Sequence, residues 1–289
     1  VEGSDDECGP VLRITSKTLQ DAPFKNASLR FLILEKLIFF RIFSTAARAR
    51  SLSSIECPSE RAEEASRIVR EVYEIEAFAE SDEAMEILQR GVEEQLRRGN
   101  QLLPAVQKCD VWKREAFRQI GAAIRDGGFP ELALDLRKKS LDFADGDKDP
   151  ELRACMLRQC AEDNRLLVKD LLDKERQKLT EDEFKRIKEL SEIAMGFLEQ
   201  AGELHQEHAK SILLERAMFP LELSRWKAML GDWPQAWTLS QIVLQEAEET
   251  PIQFRFQTLL EARAWQKITH LMALRASRAP EKAIQFKTG

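Results

Sequence analysis

Much of what marks a catalytic or a strand-rich chain is scarce here. There is a single tyrosine. No long stretch alternates apolar with polar residues, so the half-buried strand pattern is missing. Only 12 glycines and 10 prolines interrupt 289 residues. Three histidines leave few general bases, and neither a His-Glu-x-x-His nor a Cys-x-x-Cys spacing occurs. Phosphate-binding glycine loops and the Gly-x-Ser-x-Gly elbow are missing too, along with the strands that would carry them. These absences predict a protein that is not an enzyme and needs no cofactor.

The cysteines, at 8, 57, 109, 155 and 160, are odd in number and scattered. A chain this long does not need disulfide staples, so free thiols and a reducing compartment are expected. That means an intracellular site, cytosol or organelle matrix, the mitochondrial one included, rather than secretion. The first ten residues carry Glu2, Asp5, Asp6 and Glu7 with no base, unlike a secretory or mitochondrial leader.

What remains is rich in helix formers: 33% of residues are charged and 43% apolar, enough for a continuous core. A net charge of -6 speaks against general nucleic-acid binding, which needs a cationic face. The charge is uneven. Lys25, Arg30, Lys36, Arg41, Arg48 and Arg50 stand against the single acid Glu35 between residues 25 and 50.

Four regions follow from breakers and periodicity. Residues 1 to 28, with Gly3, Gly9, Pro10 and Pro23, read as an extended arm. Residues 29 to 109 read as an N-terminal helical region, 110 to 276 as a set of helical hairpins, and 277 to 289 as a polar tail. Helical spacing predicts helices over 60 to 79, behind Ser59 as N-cap, and from Ser81 to about 99. Further helices are expected from Asp110 to 126 and from Pro130 to about 144, with Gly127-Gly128 as the turn. Asp149-Pro150 opens one to about 179, and the Thr180/Glu183 capping box opens one to about 218. Pro220, Pro234 and Thr250-Pro251 start the last three. The final helix is expected to bury Ile252, Phe256, Leu259, Leu260, Ile268, Leu271 and Met272.

Two turns carry a family resemblance. Phe117-x-x-Ile120-Gly121-x-x-Ile124, with Ala133 at a helix crossing, resembles one tetratricopeptide repeat, and Gly231-Asp232-Trp233-Pro234-Gln235-Ala236 resembles that family's inter-helix turn. The match covers residues 110 to 145 and 220 to 248. It departs where Arg137 and Ser240 replace a second-helix aromatic, and where the 150 to 218 pair exceeds a standard repeat. The resemblance implies an all-α stack of antiparallel hairpins; the pattern alone allows an irregular helical bundle as well.

Three small clusters could hold an ion or a disulfide. His205 and His208 lack a third ligand, Asp145, Asp147 and Asp149 lack the rest of a calcium loop, and Cys155 and Cys160 are expected to be core thiols. No metal site is predicted.

Residues 29 to 43 hold eleven apolar positions of fifteen, more than one helix face needs. Charges interrupt them too often for a membrane span. Leu29, Phe31, Leu34, Ile38, Phe39, Ile42 and Phe43 are therefore candidates for partner binding, with Arg30, Arg41 and Arg48 as a basic stripe beside them. Burial of this helix at the centre of its own domain is the alternative. Trp226, Trp233, Trp237 and Trp265 crowd the last quarter; Trp233 and Trp237 are the candidates for a partner groove, against a core role for the cluster. Two functions are consistent with this: a scaffold that binds other proteins, or a structural subunit of a large, stable assembly.

Overall fold

The structure is a computed structural model and describes residues 26–100, 104–144, 149–174, 179–208, 212, 215–249 and 252–278. The predicted arm up to residue 25, the Asp145/Asp147 cluster, Cys8, Thr250-Pro251 and most of the tail lie outside them. The described residues form ten α-helices and no strand. The fold is all-α, built from helical hairpins in two compact units, Val1–Phe143 and Ala144–Gly289.

The first unit contains α1 (Ala27–Arg50), a 3-10 turn (Ser51–Ser54), α2 (Pro58–Ala79), α3 (Asp82–Arg97), α4 (Ala105–Asp126) and α5 (Pro130–Leu141). Asn26 starts α1 by accepting the Leu29 N–H at 3.2 Å. The Glu94 carboxylate on α3 takes the Ser28 N–H at 2.8 Å, a second capping bond from across the unit. Helix α1 packs against α2, α3 and α4, and Phe31, Leu34, Ile38, Ile42 and Ala49 are its buried stripe. Two glycines permit this. A Cβ on Gly91 of α3 would lie 2.3 Å from the Phe31 Cβ, and one on Gly127 would lie 2.4 Å from the Ala49 carbonyl oxygen.

The hairpin α4–α5 is tight for the same reason. A Cβ on Gly121 would stand 3.3 Å from the Leu136 Cβ and 3.4 Å from the Ala133 carbonyl, and Ala133 is fully buried. Gly128, at φ +94, makes the turn. Phe117, Ile120 and Ile124 are buried between the helices, with the Tyr73 ring edge-on to Phe117 at 5.4 Å.

Local expectations need correction in three places. Cys57, not Ser59, is the N-cap of α2, because Pro58 already fills the first helical position. Helix α4 begins at Ala105, so Asp110 sits inside it and pairs with Lys113 at 3.0 Å instead of capping. The contacts divide the chain at 143/144, and α4 packs on α1, α2 and α5. The expected helix from 180 to 218 is α7, Glu181–Glu207, followed by a separate α8, Glu215–Met229, which takes Pro220 into its interior.

The second unit adds α6 (Pro150–Lys174), α9 (Trp233–Glu249) and α10 (Ile252–Arg278). Asp149 caps α6 by accepting the Leu152 N–H at 3.1 Å, and the Thr180/Glu183 capping box opens α7 as expected. Helices α6 and α7 form one hairpin and α8 and α9 another, turned at Gly231 with φ +83. Helix α10 packs on α9 and touches α8.

Alanines 217, 236, 247 and 262 are almost fully buried and keep α8, α9 and α10 close. Two buried ion pairs fix the crossing of α6 and α8. Arg158 meets Glu215 at 2.5 Å and Arg165 meets Glu222 at 2.6 Å, seven residues apart on both helices, so a one-residue slip would break both. Burial pushes the Glu222 carboxyl up from its ordinary pKa, and Arg165 opposes that rise.

Among the described residues no helix is long and apolar enough to cross a membrane.

Candidate interaction surfaces

Helix α1 shows two apolar faces. The inner one holds Phe31, Leu34, Ile38 and Ile42, each 2% exposed or less. These four, expected as partner contacts, are instead packed inside the first unit and can reach a partner only by unfolding it. The outer one runs along Leu29, Leu32, Phe40, Phe43 and Ala47 at spacings of three, eight, three and four, which is one side of a helix. Phe40 is 71% exposed and Phe43 56%. The half-buried Phe39 ring stacks on Phe43 at 6.3 Å, so three phenylalanines form one aromatic ledge.

The charges around that ledge are not those expected. Arg41 and Arg48 turn back onto α2: both reach Glu71, at 3.1 and 2.6 Å, and Arg48 also pairs with Glu64. They brace the fold. The residues that lie outward among the apolar positions are Lys36 and Arg50, both exposed and neither with an ion-pair partner among the described residues. The one acid of α1, Glu35, is taken by Lys108 on α4 at 2.9 Å. The outer face is thus apolar with basic charge only. A pattern search could have separated the faces, since the two stripes lie on opposite sides of one helical wheel; Phe40 and Leu32 were missed because composition alone does not tell inner from outer.

The tryptophans divide. Trp226 is fully buried, and Trp265 donates its indole N–H to the Ser224 hydroxyl at 2.8 Å, which in turn donates to the Ala236 carbonyl at 2.6 Å, tying α8, α9 and α10 together. Trp233 and Trp237 are half-buried, and the Trp237 ring lies 5.2 Å from the His270 ring. The four do not line one groove.

Helix α10 reverses an expectation. Leu260, Ile268 and Leu271, expected in its buried face, point outward at 62%, 48% and 67% exposure, joined by Ala264 and by Leu274. The inner side holds Ala262, Trp265 and Thr269, together with the half-buried Leu259, expected there; Thr269 donates to the Ser240 hydroxyl at 3.0 Å. The side chains of Ile252 and Phe256 lie outside the described residues.

The small clusters resolve simply. His205 stacks against Phe219 at 5.0 Å, and burial lowers its pKa. Cys160 is fully buried and Cys155 partly so. Among the described residues no group of three or more His, Cys, Asp or Glu is placed to hold a metal ion. No protein-family model matches the chain, and no curated protein aligns with it.

Proposed function

We propose that this protein is a non-enzymatic scaffold of helical hairpins, of tetratricopeptide-like design, which holds another protein through the outer face of α1. The observation that supports this most is the ledge of Phe39, Phe40 and Phe43, carried on a helix whose opposite face is already filled by the protein's own core. A helix apolar all round but covered on only one side is a surface built for contact. The occupant is an amphipathic helix with acidic flanks, because Lys36 and Arg50 are the only charges on the face. A second copy of α1 is disfavoured. Antiparallel pairing about Lys36 would set two lysines against each other.

A peptide of about three heptads, with Leu at a and d and Glu at e and g, is the probe. By fluorescence anisotropy the chain carrying Leu271→Glu, which removes the other exposed apolar helix face, should bind it, and adding Phe40→Glu with Phe43→Glu should weaken binding by about tenfold or more while circular dichroism stays unchanged. Equal affinity in the variant, or preference for a Lys-flanked peptide, would sink the reading.

The same contact serves a subunit held permanently in a larger assembly, and apolar faces exposed in both units favour that reading. Solution mass separates the two: a chain monodisperse on its own fits a scaffold with exchangeable partners, while self-aggregation without partners fits a permanent subunit.

A further inference from the structure

The second unit has an odd helix. Helices α6 with α7, and α8 with α9, form hairpins, while α10 lies on α9 with no helix on its far side among the described residues. A helix on the outside of a helical stack normally keeps its outer side polar. Here the far side carries Leu260, Ala264, Ile268, Leu271 and Leu274, over about 21 Å of helix at 1.5 Å per residue.

Charge on this face has one sign. Arg263, Lys267 and Arg275 are exposed around the apolar residues, with His270 at the edge. The one acid of α10, Glu261, pairs with Arg225 on α8. The chain as a whole is acidic, at -6, so a basic apolar strip is the reverse of its average surface.

We infer that an acidic amphipathic helix from a partner protein lies along this outer face of α10. A second copy of α10 would bring the same cations together and is disfavoured. An anionic membrane would satisfy the charge as well. The protein partner is favoured because Lys267 stands in the middle of the strip, between Leu260 and Leu274 on the helical wheel, where a carboxylate on a facing helix can meet it and a bilayer interior cannot.

The inference is independent of the α1 surface, and the test keeps the two apart. In the 289-residue chain carrying Phe40→Glu and Phe43→Glu, the Glu-flanked Leu heptad peptide should still bind, with affinity falling as salt rises. Adding Leu271→Glu should reduce that remaining affinity by about tenfold or more, and Lys267→Glu should also reduce it and shift preference towards a Lys-flanked peptide. Unchanged circular dichroism shows that each variant folds. Three results overturn the inference: remaining binding that ignores both substitutions; flotation with phosphatidylserine vesicles that Leu271→Glu removes while the peptide never binds; or a concentration-dependent dimer that Leu271→Glu dissolves.

Discussion

Glu71 on α2 holds Arg48 on α1 at 2.6 Å, and the same carboxylate accepts the Thr45 hydroxyl at 3.0 Å and pairs with Arg41 at 3.1 Å. Glu71 is 2% exposed. Three α1 side chains, one above the next, thus converge on one buried acid, which sets both the rotation and the register of α1 on α2. It also explains why the outer face of α1 is short of arginine.

Replacing Glu71 with Gln keeps the volume and removes the charge that two guanidinium groups face. Arg48 is partly exposed and can recover water, so the expected loss is about 2 kcal/mol, below the range for a fully buried pair. Urea unfolding should report it as a lower midpoint with unchanged slope. An unchanged midpoint would mean that the network contributes nothing to stability.

Two glycines in helices should respond with opposite sign. At Gly91 a methyl group meets the Phe31 Cβ at 2.3 Å, and both lie on backbones held by packing, so Gly91→Ala should destabilise by about 1 to 3 kcal/mol. At Gly196, inside α7, nothing lies within 4 Å of the added carbon. Gly196→Ala should therefore stabilise by about 0.5 to 1 kcal/mol through helix propensity and a less flexible unfolded chain. A melting temperature that rises for Gly91→Ala would refute the close approach of α3 to α1.

The helices themselves were legible because each rests on local signals: Thr180 with Glu183, Ser81 before α3, and the glycines at 128 and 231 all act within a few residues. Which face of a helix is inside depends on distant neighbours. Residues 29 to 47 are apolar nearly all round, so the wheel offers two apolar faces that differ in sequence by Lys36 and Arg50 on one of them, and the close approach of Gly91 and Gly127 is made to the other. In α10 the large Leu and Ile side chains suggest burial, but the core side uses the small Ala262, with Trp265 and Thr269 hydrogen-bonded to Ser224 and Ser240. Periodicity finds stripes; it does not rank them.

Thiol chemistry should separate two cysteines by environment. Cys57 is exposed at the start of α2, and the Ser59 hydroxyl with the backbone N–H groups of Glu60 and Ser59 holds its pKa below the ordinary thiol value. Burial pushes the Cys109 thiol up to about 11, and its S–H donates to the Ala79 carbonyl at 3.0 Å. Maleimide footprinting at neutral pH should label Cys57 rapidly and leave Cys109 untouched until the protein unfolds. The native state keeps the Cys109 proton to higher pH than the unfolded chain does, so this thiol's contribution to stability is complete below about 9 and falls as pH rises towards about 11. A Cys109→Ser variant should lose stability less steeply over that window; identical slopes would show that the thiol does not titrate there.

The outward and inward faces of α1 differ by two positions in sequence, Ile38 and Phe40, and by almost everything in environment. Ile38 has no exposed surface, so Ile38→Asp would place a charge among Leu34, Ile42 and the helices around them; the expected cost exceeds about 4 kcal/mol, and the first unit should not fold. Phe40 is 71% exposed, and Phe40→Glu should shift stability by no more than about 0.5 kcal/mol. For the same reason removal of residues 1 to 47 should unfold the first unit, since it takes away the helix on which α2, α3 and α4 pack. Proteolysis and circular dichroism on the three proteins check this. A folded, protease-resistant Ile38→Asp chain, or a folded truncation, would mean that α1 is an appendage rather than the centre of the unit, and its inner face would then be free for a partner after all.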